Sequence, residues 1–133
     1  MEKIFETLKN KILEKFDCEA IILFGSYARG TENNQSDIDL AFKTRQEVTK
    51  KEIFYLKQEL EDIVNKDIDL INLDNIGDGF RYEILINGKK LYCKDELNFE
   101  LYKLRMYREF LDLNESRMSI IERVKKGGKI YGK

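Results

Sequence analysis

Two short groups of residues in the first third of the chain have the types and spacing for phosphate chemistry. Gly25-Ser26 follows the apolar run Ile21–Phe24, and ten residues separate Ser26 from the triplet Asp37-Ile38-Asp39. A glycine turn leaving a buried strand exposes backbone N–H groups that can cradle an anion. Acids two apart on a strand project from one face, because strand side chains alternate. Paired carboxylate oxygens suit Mg²⁺, and two such ions about 4 Å apart can bridge the attacking and leaving oxygens of a phosphoryl transfer. A third acid from a neighbouring strand would complete the set. Asp67 and Asp69, in the run Asp67–Leu73, share one face and both qualify. A phosphate cradle beside carboxylates is the minimum equipment for metal-assisted phosphoryl or nucleotidyl transfer.

Strands must hold these residues, and hydrophobic periodicity supplies them. Ile4, Phe5, Leu8, Ile12, Leu13 and Phe16 predict an amphipathic helix over residues 2–16. A first strand is expected over Ala20–Phe24, then a short helix over Tyr27–Gly30 with Ser26 at its positively polarised end. Thr31–Ser36 is polar and reads as a loop. The second strand, Asp37–Lys43, sets Ile38, Leu40 and Phe42 on one face and Asp37, Asp39, Ala41 and Lys43 on the other. That pattern buries the first face and presents the acids on the second. A helix from about Gln46 to Asn65 follows, with two capping boxes competing for its start, Thr44…Glu47 and Thr49…Glu52. The third strand is Asp67–Leu73, followed by a turn at Asp74–Gly79. A short helix, Phe80–Asn87, is ended by Gly88 as a C′ residue, and Lys90–Cys93 adds an edge strand.

The next predicted helix, Asp95 to about Leu113, carries two apolar stripes. Leu97, Leu101, Leu104 and Leu111 fall on one face; Phe99, Tyr102, Met106, Phe110 and Leu113 fall on roughly the opposite one. One stripe is enough to dock the helix. The second is either further core, beneath a last helix folded back on it, or a surface for another protein. Residues 114–126 read as a further short helix and 127–133 as a tail. The expected fold is α/β (α+β): a small mixed β-sheet with flanking helices, followed by C-terminal helices. Residues 1–93 form its core, and 94–133 a helical extension and basic tail of the same single domain.

Composition narrows the chemistry. The 133 residues contain no histidine, which excludes a Ser-His-Asp triad, a Cys-His pair and a histidine base. Cys18 and Cys93 are too few for a disulfide framework and read as inert thiols in a reducing cytoplasm. No apolar run approaches membrane-spanning length, so no membrane is expected among the partners. Net charge is −1, but residues 94–133 hold ten basic against seven acidic groups. The last eleven residues carry five basic groups and no acid, a pattern read as a solvated end rather than a nucleic-acid contact.

Gly25-Ser26, ten residues and Asp37-x-Asp39 resemble the signature of the DNA polymerase β-like nucleotidyltransferase superfamily. The acid in Asp-Ile-Asp-Leu-Ile-Asn-Leu is similar to that family's third carboxylate strand. The small size and the wording Gly-Ser-Tyr-Ala-Arg-Gly resemble the minimal nucleotidyltransferases (MNT), antitoxins of HEPN/MNT toxin–antitoxin pairs. The resemblance covers roughly Ala20–Leu73 by motif. It implies that Gly25 and Ser26 bind the nucleotide's phosphates and that Asp37 and Asp39 ligate Mg²⁺. It also implies that Asp69, preferred to Asp67 because it precedes Leu70-Ile71, is the third metal-binding carboxylate and activates the acceptor hydroxyl. The implied reaction moves AMP from ATP to a tyrosine of a HEPN toxin, an RNase, in the cytoplasm and within a possible hetero-oligomer.

Two rival functions remain: a non-catalytic binder that covers its toxin, and a small-molecule (aminoglycoside-type) nucleotidyltransferase. Several neighbours of the motif carry bland readings. Arg29 is placed to bind a phosphate and equally to pair with Glu32. Tyr27 reads as packing, and Lys43, although on the acid face, as a solvated strand end. A calcium loop from Asp37 fails, because its sixth and twelfth positions are Phe42 and Val48.

Overall fold

The computed structural model describes residues 2–126, with side chains described through Asp112. Four strands form one sheet in the order β3-β2-β1-β4: β1 (Cys18–Phe24), β2 (Ile38–Thr44), β3 (Ile68–Asn72) and β4 (Lys89–Cys93). β1 pairs antiparallel with β2 and with β4, whereas β2 and β3 run parallel. A parallel pair needs a crossover connection, and α3 (Lys50–Val64) provides it. The mixed sheet and flanking helices are those expected.

Helices cover both faces. α1 (Glu2–Lys15) and α3 bring Leu8, Ile12, Leu56 and Leu60 against Ile21, Leu23, Ile38, Leu40 and Phe42. On the other face, α4 (Asp78–Asn87) and α5 (Glu96–Lys126) bring Ile84, Leu85, Phe99, Tyr102 and Met106 against Ala20, Ile22 and Ala41. The unbroken apolar run Ala20–Phe24 sends alternate side chains into the two clusters, so β1 is apolar on both sides, as a covered central strand must be. A bulge between Cys18 and Ala20 shifts its register at the start. The acid-bearing face of β2 is therefore not open along its length. Ala41 is fully buried on it, between the partly exposed Asp39 and Lys43.

Three local details differ from expectation, each for a physical reason. α3 starts at Lys50, not Gln46, because only the Thr49–Glu52 box closes in both directions. The Thr44 hydroxyl is buried and donates to the Gln46 carbonyl, 2.6 Å away, so it is unavailable as a cap. Gly88 is extended (φ −78°) rather than left-handed. Glycine is needed there for closeness: a Cβ would stand 2.5 Å from Ile22 Cγ2 and 2.6 Å from the Ile84 carbonyl oxygen. Between Leu73 and Asn75 a single 3₁₀ turn begins the connection expected from Asp74.

α5 is one continuous helix, where two helices were expected. Neither glycine nor proline interrupts 95–126, so nothing in the backbone forces a break. Among the described residues no last helix folds back on α5. Its stripe of Phe99, Tyr102 and Met106 is buried, whereas Leu97 is 68% exposed and Leu101, Leu104 and Leu111 also face solvent. Leu113, read with the buried stripe, lies beyond the described side chains, and the expected tail at 127–133 lies outside the described residues. Cys18 is buried and its thiol is pushed up to about 12 by burial and then the Asp17 charge. Cys93 is half-buried, and burial raises it as well.

Candidate active site

β1 ends at Phe24, and the chain turns at Gly25 with φ 75° and ψ −153°, a region essentially restricted to glycine. Space enforces the same choice, since a Cβ there would stand 2.0 Å from Asp39 Oδ2. The turn opens directly into the short α2 (Ser26–Arg29), where the Ala28 and Arg29 N–H groups donate to the Gly25 carbonyl, each over 3.1 Å. The N–H groups of Ser26 and Tyr27, in the first turn, have no acceptor within the helix. The Tyr27 ring is buried edge-on to Phe5 at 5.8 Å, so it packs the turn onto α1.

Asp39 is the hub of the site. The β1–β2 pairing sets it opposite Phe24, the residue before Gly25, and the β2–β3 pairing sets it opposite Asp69. Burial, then the hydrogen bond to Asp69 and the charges of Asp69 and Asp37, push the Asp39 carboxyl from an ordinary 3.8 up to about 6. The Arg29 guanidinium pulls the other way. Asp37 lies just ahead of β2 and is exposed, as is Asp69 across the strand pair. Three carboxylates and one cation thus act on one another at one end of the paired strands, with Asp39 half-buried among them.

The other expected residues separate. Asp67 lies one step before β3, where its carbonyl accepts from the Ile38 N–H over 3.1 Å. Its side chain lines a cleft with Asp37, Ser36 and Lys66. Asp69, and not Asp67, stands opposite Asp39. Arg29 is exposed, and among the described residues no ion pair joins it to Glu32. It lines a cavity with Gly25, Phe24, Phe80 and Asn87. Phe80 and Asn87 had no signal in the sequence, because only the packing of α4 beside β1 brings them to the turn.

Among the described residues no three His, Cys, Asp or Glu side chains already converge as a metal cage. Mg²⁺ does not require one, since it keeps water ligands and binds through one or two carboxylates plus substrate phosphates. The facing Asp39–Asp69 pair, with Asp37 beside it and no Cβ on Gly25 to crowd it, fits that demand.

A glycine turn abutting an acid that faces a second acid is an arrangement able to support metal-assisted phosphoryl chemistry. The family model described as polymerase beta, nucleotidyltransferase matches residues 2–97. The chain belongs to this family. It is 28% identical over 122 residues to the protein adenylyltransferase MntA of Shewanella oneidensis, covering 92% of this chain and 85% of that protein. Its fold is that of a chain in a crystal structure of a toxin–antitoxin with AMP-PNP (TM-score 0.81, 24% identity, 91% of this chain and 98% of that one). A complex of a tri-AMPylated Shewanella oneidensis HEPN toxin with MNT antitoxin also shares it (TM-score 0.70, 24% identity, 91% and 98% covered). The family match ends at residue 97, so it takes in the whole sheet and leaves almost all of α5 beyond it.

Proposed function

We propose that this protein transfers AMP from Mg-ATP to a tyrosine hydroxyl of a cognate HEPN-type toxin and so acts as its antitoxin. The register that seats Asp39 between the glycine turn and Asp69 carries this reading. Gly25, Ser26 and the free N–H groups opening α2 receive the triphosphate, with Arg29 adding positive charge beside them. Asp37, Asp39 and Asp69 would hold Mg²⁺, two ions in the full site, which when bound supply charge stabilisation at the phosphoryl oxygens. Asp69 is exposed and so accessible to a hydroxyl arriving on another protein. It accepts the tyrosine proton as the oxygen bonds to the α-phosphorus. The bond from that phosphorus to the bridging oxygen breaks, and pyrophosphate leaves with the electron pair.

MntA's name as a protein adenylyltransferase and the AMPylated toxin in the related complex support this reading. No described helix is long and apolar enough to cross a membrane, and the cytoplasm, where ATP and Mg²⁺ are held, is the compartment proposed. The exposed leucine stripe of α5 favours a second reading, a binder that silences the toxin by covering it.

One experiment separates the readings. The protein is incubated with labelled ATP, Mg²⁺ and the product of the adjacent gene, then again as Asp37→Ala/Asp39→Ala. Label on the partner that disappears in the double variant is the expected result. An unlabelled partner held in a stable complex would sink the transferase reading and leave the binder. Label only on an added aminoglycoside would move the substrate to small molecules.

A further inference from the structure

On the side of the glycine turn away from Asp69, a cavity of about 480 Å³ opens between α2 and the C-terminal half of α4. That is within the usual size of small-molecule sites, roughly 300–1,000 Å³. Its walls are the rings of Phe24 and Phe80, edge-to-face at 5.8 Å, together with Ile84. Gly88 also lines it, and the glycine's close approach to Ile22 holds the end of α4 against the sheet. Gly25 and Arg29, both at the phosphate turn, also line it. Polar groups come from Glu83 and Asn87, both exposed.

We infer that this cavity is the base subsite of the nucleotide and that it takes a purine, with Phe80 against the ring face and Asn87 at the ring edge. The inference rests on the nucleotidyltransferase reading and adds what that reading leaves open, the group that recognises the base. Two observations select this occupant over the acceptor tyrosine. The cavity shares Gly25 and Arg29 with the phosphate turn, so one molecule with an anionic tail and a flat apolar head spans both. Asp69, where the acceptor hydroxyl arrives, is on β3, at the opposite edge of the sheet from β4 and Gly88. The acceptor and the base therefore enter from opposite sides of the turn.

The edge chemistry favours adenine. Asn87 offers a donor and an acceptor in the arrangement that pairs with an adenine amino group and ring nitrogen. The Glu83 carboxylate oxygens are acceptors, which suits an exocyclic amino group and opposes the guanine carbonyl.

Calorimetric titration of the full chain with Mg-ATP, Mg-GTP and inorganic tripolyphosphate tests the assignment. Phe80→Ala is expected to weaken ATP about tenfold, the scale of one lost base–aromatic stack, while tripolyphosphate binds as before. Unchanged tripolyphosphate binding also shows that the variant is folded. Asn87→Ala is expected to narrow the preference for ATP over GTP about tenfold, one amide pair with a base edge. ATP affinity and ATP/GTP preference at wild-type values in both variants would overturn the subsite alone. A wild-type chain that binds neither ATP nor tripolyphosphate would overturn the nucleotidyltransferase reading, and the subsite with it.

Discussion

The two ends of β2 place charged side chains on the same face of the same strand and treat them in opposite ways. Asp39, at the first end, faces Asp69 in register and has Asp37 beside it. Lys43, four residues on, lies about 13 Å away along the strand. Its ammonium is 3.4 Å from Asp74 Oδ2, donates to the Thr44 carbonyl over 3.0 Å, and sits 5.8 Å from the centre of the Tyr102 ring. Between them Ala41 is sealed beneath α4 and α5. The fold completes the electrostatics at one end and leaves like charges facing each other at the other. A strand end built only for stability would look like Lys43. Asp39 looks like a group waiting for a cation.

The largest expected effect comes from breaking the charged end. Asp39→Asn should lower AMP transfer on the order of 10³-fold, the rate equivalent of losing several kcal/mol of metal-based stabilisation. Lys43→Ala, on the same face, should leave transfer within about threefold; labelled-ATP assays on the two variants give the contrast. A thousandfold loss at Lys43 would erase the distinction between the ends.

Gly25→Ala comes next. It forces an L-residue into a glycine-only conformation and drives a methyl group into Asp39. The strain should cost about 2 kcal/mol in urea unfolding and disturb the acid pair as well.

The third effect is a pH dependence whose sign sets the two ends apart. The folded-state pKa of Asp39 is about 6, above its ordinary 3.8, so the native chain binds that proton more tightly than the unfolded chain. The stability this contributes is fully present below about pH 4 and is lost as pH rises through about 6. In chelator and without nucleotide, wild type should therefore lose about 1 kcal/mol relative to Asp39→Asn between pH 4 and 7, after discounting for solvent screening. Thermal melts of the two proteins across that range measure it, and Mg²⁺ should restore part of the loss at pH 7. A flat difference between them would mean that neither burial nor the neighbouring acids disfavour the Asp39 charge.

The smallest effect lies at the completed end. Asp74→Asn should cost about 0.5 kcal/mol or less, and less again in high salt, because Asp74 is half-exposed.

Much of this site was legible because strand periodicity and residue spacing are local properties. Ile38, Leu40 and Phe42 alternate with the acids, so a sequence reader can place Asp39 on a face before knowing what covers it. The preference for Asp69 over Asp67 came from a resemblance, and the parallel register then placed Asp69 directly across from Asp39. Tertiary packing hid the rest. Nothing local distinguishes the Thr44 box from the Thr49 box until the Thr44 hydroxyl is buried against Gln46. Gly88 looks like a helix terminator, yet its reason is the Ile22 side chain of a strand 66 residues earlier. A second helix was expected from residue 114, but polar residues without glycine or proline only lower helix propensity and do not force a break. The leucine face of α5 was visible as a stripe, while its exposure depended on tertiary packing: among the described residues no helix folds back over it.

The parallel pairing of β2 and β3 also sets how this molecule can tolerate change over generations. Asp39 and Asp69 are aligned by the hydrogen-bonded steps from Ile38↔Ile68 to Phe42↔Asn72, not by the number of residues between them. Residues gained or lost in the 45–48 segment can be taken up as slack before the Thr49 cap. A single deletion inside β3 has no such outlet: it would turn Asp69 toward the apolar core and give its place to a neighbour. Length variation should therefore accumulate around α3 and stop abruptly at the two strands it connects.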